Sequence, residues 1–185
     1  MTEVDNPYYV KDVMRLPLEE RVKILFDALR AQEAAGLFNM EYWNQPARPG
    51  NEPFRMFRRD RTPHTCGTVA CIGGTIELII SKYTANPPEY LGITSIVADR
   101  LFYPTYRIDI DWKLIGVEDA IKATELAMQI PKSLSNREAR VAMDDIWTKI
   151  LKDIAIREGV EIKELPGEED FHEEQRLWVR LQKKY

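Results

Sequence analysis

The chain is short of the residues that staple small folds or bind metals: two cysteines and two histidines in 185 residues. Two thiols cannot form a disulfide framework, and in a chain with no secretory leader they are expected to be free in a reducing cytoplasm. The opening residues, MTEVDNPYYVKD, have neither the basic start nor the apolar core of such a leader. Long hydrophobic runs are also missing. The longest, Ile76 to Ile80, is broken by Glu77 and falls far short of the roughly 20 residues needed to span a bilayer. Basic charge is not in excess either: 26 Lys and Arg stand against 30 Asp and Glu, a net charge of −4. Nothing global therefore draws the chain to nucleic acid or to an anionic membrane. There is no internal repeat and no low-complexity tract.

A hydrophobic fraction of 44% with 30% charged residues is ordinary for a globular protein. A chain of this length buries about 70% of its unfolded surface, so it needs no metal or disulfide for stability. One domain is expected over residues 1–165, followed by a C-terminal helix over 166–185 that either docks on the core or binds a partner.

Periodicity predicts a mainly α fold, a bundle of about six helices with at most a short strand or hairpin. Leu16 to Ala35 has Leu18, Val22, Leu25, Phe26 and Leu29 on one face. Glu19 and Glu20 suit its positive end, and Gly36 stops it. Residues 44 to 63 contain Pro46, Pro49, Pro53 and Pro63, which predicts a long loop without regular structure. A helix is predicted from about Gly67 to Tyr83, ended by Asn86-Pro87-Pro88, and another from Leu91 to Phe102, with Thr94 or Ser95 as its cap. YRIDIDW, residues 106–112, alternates like a half-buried strand, but no partner strand is evident, and a short extended segment lying on the helices fits the pattern equally well. Val117 to Gln129 is helical. Ser135 and Glu138 have capping-box spacing and open the longest helix, to about Glu158, with Val141, Ile146, Trp147, Ile150, Leu151 and Ile154 on its buried side and Gly159 as its stop. A last helix is predicted from Glu168 to Lys184, with Phe171, Leu177 or Trp178, and Leu181 as its apolar edge.

HTCGTVACIGG, residues 64–74, holds both cysteines and one histidine. Three readings compete. His64, Cys66 and Cys71 supply three potential zinc ligands, but H-x-C-x₄-C is not the paired spacing typical of structural zinc. Alternatively, Cys66 at a helix start is a nucleophile, its thiolate favoured by the helix dipole and His64 as base. The third reading is structural. If the segment is helical, Gly67, Ala70, Cys71 and Gly74 fall at i, i+3, i+4 and i+7, a stripe of small residues that lets a neighbouring segment approach the backbone. Free cysteine behaves as a small apolar residue. We favour this reading and expect no metal and no cofactor; a thiol- or zinc-dependent enzyme centred on Cys66, Cys71 and His64 is the alternative.

The elements Asn39-Met40 with Trp43, then Cys66-Gly67-Thr68 with Cys71 and Gly74, then Leu101-Phe102 with Pro104, then Trp112, Ile115, Glu118 and Ala120 occur in that order. Over residues 38 to 123 the chain thereby resembles a family of small uncharacterised proteins of bacteriophages and bacterial genomes. It differs at Gly73, where that family more often has alanine. The resemblance carries over no catalytic role; it implies a cytoplasmic accessory protein, encoded by a phage or its host.

Two further candidates stand out. Arg55, Arg58, Arg59 and Arg61 lie with Phe54 and Phe57 in the proline-rich loop, where arginines and aromatics can grip phosphates or stack on bases. A solvated loop is the plainer reading, yet this loop is the first place to look for a partner surface. Asp109, Asp111, Asp144 and Asp145 are candidate metal or acid/base residues, with surface carboxylates the plainer reading. Trp112, Trp147 and Trp178 are expected to anchor helix packing. The function expected is non-catalytic: an accessory or regulatory protein that engages a macromolecule, more readily a protein than a nucleic acid through the 54–64 loop.

Overall fold

Local signals set the ends of the helices. Glu19 and Glu20 occupy the first turn of α1, Leu18–Ala34, and Gly36 follows its end. In this computed structural model, which describes residues 7–40, 44–46, 68–80, 87–102, 108–109 and 111–164, a 3-10 turn at Val13–Arg15 precedes α1. The chain continues through β1 (Asn44–Pro46), β2 (Thr68–Ala70), α2 (Ile72–Ile80), α3 (Pro87–Leu91) and α4 (Ser95–Phe102). Next come β3 (Ile108–Asp109), a 3-10 turn at Trp112–Leu114, α5 (Val117–Met128), α6 (Asn136–Glu158) and β4 (Lys163–Glu164). The fold is mainly α, with six α-helices among the described residues.

α6 carries the clearest signals. Ser135 Oγ accepts the Glu138 N–H at 3.3 Å, and the Glu138 carboxylate accepts the Ser135 N–H at 2.9 Å, which closes the predicted capping box. At the other end Gly159 sits at φ 65°, and the Val160 N–H donates to the Ala155 carbonyl at 2.9 Å. This αL closure satisfies carbonyls the helix leaves unpaired.

Three expectations need correction. The helix expected from Gly67 to Tyr83 is helical only from Ile72, as α2; before it Thr68–Ala70 form strand β2, antiparallel to β1, with Asn44 opposite Ala70 and Pro46 opposite Thr68. Thr68 and Val69 are β-branched and suit extended backbone; once β1 supplies a partner, pairing overrides the helical pattern. The same pair places a short strand inside the proline-rich stretch. Pro46 is its last residue, where a missing N–H is tolerated. The helix expected from Leu91 to Phe102 is α4 and starts only at Ser95, after the expected Thr94 cap, while Leu91 ends the separate helix α3; Gly92 at φ 65° turns the chain between them. A Cβ there would sit 3.5 Å from Leu18 Cδ2, an ordinary contact, so it is the backbone conformation that calls for glycine. Pro87, in the Asn86-Pro87-Pro88 stop, also starts α3, where a residue without an N–H costs nothing; residues 81–86, over which the preceding helix is expected to end, lie outside the described residues.

Of the alternating 106–112 segment, Ile108 and Asp109 form β3 and find a partner far along the chain, Ile108 opposite Glu164 and Asp109 opposite Lys163, whereas Trp112 already starts a 3-10 turn. The strands thus form two short antiparallel pairs, more than the single strand or hairpin expected.

The core gathers around α2. Every residue from Ile72 to Ile80 except Glu77 is buried, as expected of a helix apolar over most of its circumference. α1, α3 and β2 pack on it, while α4 lies along α6. Trp147 on α6 is fully buried, and its Nε1–H donates to the Arg100 carbonyl at the end of α4, 3.0 Å away. Met143, Ile150, Leu151 and Ile154 complete that face. Val141 does not belong to it: it is 42% exposed, two positions from both Ala139 and Met143 and so on the opposite side of the helix. No helix among the described residues is long and apolar enough to cross a membrane.

Candidate functional site

The start of α2 is the one part of the HTCGTVACIGG segment whose side chains are described. Cys71 lies between β2 and α2 and is only 2% exposed. The Thr75 N–H donates to the Cys71 carbonyl at 2.8 Å, so Cys71 caps the helix. Burial pushes its thiol up from 9.0 to about 11, against the N–H groups of Gly74 and Gly73, which donate to the sulfur and favour the thiolate. At neutral pH Cys71 is therefore a protonated, inaccessible thiol, the reverse of the exposed, low-pKa environment a nucleophile needs. Its narrowness serves packing, as expected, but the stripe does not form. Gly67 lies outside the described residues, Ala70 is in a strand, and only Gly74 of the four is in α2.

Thr75 and Gln32 form a buried polar contact beside Cys71, both at 0% exposure. Thr75 Oγ1 lies 2.8 Å from the Cys71 carbonyl and 2.8 Å from Gln32 Oε1. A hydroxyl has a single proton to donate, so it serves one acceptor at a time. Gln32 Nε2 has no hydrogen-bond partner. This contact ties α1 to α2 across an apolar interface. It was missed in the sequence although the signal was present: Leu25, Ala28, Leu29 and Gln32 fall at i, i+3, i+4 and i+7, the spacing of a buried face.

His64 and Cys66 lie outside the described residues, as do Arg55, Arg58, Arg59 and Arg61; of the His64, Cys66 and Cys71 set, only Cys71 has a described position. The C-terminal helix expected over 166–185, with Trp178, also lies outside them. Among the described residues no group of three or more His, Cys, Asp and Glu is placed to hold a metal.

The candidate aspartates are dispersed. Asp109 is in β3, and Asp111 is exposed and accepts the Lys113 N–H at 3.0 Å, a local turn contact. Asp144 is buried at 5%, with Arg100 Nη1 4.0 Å away, whereas its neighbour Asp145 faces solvent. Consecutive residues on a helix point about 100° apart, so this pair cannot share a proton or an ion.

Carboxylates instead gather at the start of α5 for a structural reason. Glu33 on α1 accepts the Val117 N–H at 3.1 Å, and Asp119 accepts the Gly116 N–H at 3.1 Å. Asp119 also takes two hydrogen bonds from Arg157 on α6, at 2.9 and 3.0 Å. Acids at a helix N-terminus satisfy its unpaired N–H groups and its dipole. Beside them the Arg30 guanidinium, bonded to Glu118 at 2.8 Å, holds that carboxyl below its usual range.

The β1–β2 pair is the geometric feature that bears on the arginines. It brings residues 46 and 68 opposite each other, directly before the buried start of α2. Residues 47–67 link these two strands in sequence and lie outside the described residues. They carry Arg48, Arg55, Arg58, Arg59 and Arg61 against Glu52 and Asp60, a local charge of +3 within a chain of net −4. No protein-family model matches the chain, and neither the curated proteins nor the solved structures compared with it provide a match.

Proposed function

We propose that this chain is a non-catalytic accessory or regulatory protein of the cytoplasm whose helical body presents the arginine-bearing segment 47–67 to a macromolecular partner. The observation supporting this reading is the β1–β2 pairing. The strands that flank the segment in sequence pair next to the buried start of α2, and binding residues are disproportionately found on loops joined to a rigid scaffold. The concentration of positive charge in that one segment of an acidic chain favours a partner with an acidic surface, and a protein is favoured over a nucleic acid because the chain as a whole repels polyanions. The resemblance to phage and bacterial proteins supplies the setting, the cytoplasm of a bacterial host. Burial of Cys71 weighs against the thiol-enzyme alternative, which would have to operate with Cys66 and His64 alone.

The test is charge reversal at Arg55, Arg58, Arg59 and Arg61 to glutamate, with binding compared by crosslinking in host lysate and then with the purified captured protein. The expected result is a protein complex that is lost in the variant while the melting temperature is unchanged. Equal capture by both forms would refute the assignment of the surface. Saturable, salt-sensitive binding of a single-stranded oligonucleotide by the wild type alone would replace the protein partner with a nucleic acid. Stoichiometric zinc in the purified protein, or rapid selective alkylation of Cys66, would overturn the non-catalytic reading.

A further inference from the structure

We draw no further inference here: the strongest candidate, the apolar patch that Ile156 and Val160 expose at the C-terminal end of α6, carries nothing, because nothing in the structure shows what covers it.

Discussion

The Gln32–Thr75 contact makes an asymmetric prediction about stability. Replacing Thr75 by valine keeps the shape of the side chain but removes the hydroxyl. Gln32 Oε1 then loses the hydrogen bond that Thr75 Oγ1 makes to it at 2.8 Å, in a place with no access to water. A buried acceptor stripped of its partner costs about 1–3 kcal/mol. Replacing Gln32 by methionine instead removes both the acceptor and the Nε2 group that has no partner. Thr75 keeps its bond to the Cys71 carbonyl at 2.8 Å, and a flexible apolar side chain of similar length fills the space. The Gln32→Met change is therefore expected to be neutral or stabilising by up to about 1 kcal/mol. In the double variant Thr75→Val no longer strands an acceptor, so its cost should shrink by roughly 1 kcal/mol or more when measured in the Gln32→Met background, a coupling of the size neighbours in one network show. Urea unfolding of the four proteins supplies the cycle; for a chain of this length each kcal/mol also moves the melting temperature by about 2–4 °C. The reasoning fails if Gln32→Met destabilises by more than about 1 kcal/mol while Thr75→Val does nothing, for then the amide, not the hydroxyl, makes the contact that matters.

Other expectations follow from single positions. Trp147→Ala should cost about 3–5 kcal/mol in urea unfolding, since a fully buried indole is removed, and Trp147→Phe about 1 kcal/mol for loss of the hydrogen bond to the Arg100 carbonyl alone. Gly92→Ala, forced to hold φ 65°, should cost about 1–2 kcal/mol; an unchanged urea midpoint would show that the turn between α3 and α4 relaxes. The Cys71 thiol is raised in the folded state from 9.0 to about 11. Its protonated form is thus favoured by folding, and the stabilisation is complete below pH 9 and lost as the pH climbs toward 11. The difference in unfolding free energy between wild type and Cys71→Ala should shrink across that interval and stay flat below it. Native-state iodoacetamide labelling at neutral pH should leave Cys71 unmodified until denaturant is added, and rapid labelling there would contradict its burial.

The helices that could be read from the sequence are those whose signals are local. The Ser135–Glu138 box, Gly159 and Gly36 lie within a turn of the backbone they cap, and α6 and the end of α1 fall close to where those residues place them. Thr94 as a cap was legible for the same reason: its carbonyl accepts the Ala98 N–H at 3.0 Å. The burial of Cys71 followed from its chemistry as a small apolar residue. The contact of Gln32 with Thr75 was legible only in part, because periodicity places the glutamine on the buried face but cannot name what it meets there.

Composition and periodicity alone determined a mainly helical chain with α2 as its apolar centre, since each helix carries its pattern within itself. That Thr68 to Ala70 are extended, and where Ile108 and Asp109 find a partner, were decided only by tertiary structure. A strand is completed by hydrogen bonds to another strand, and here those partners are Asn44–Pro46 and Lys163–Glu164, remote in sequence and without a turn signal to announce them.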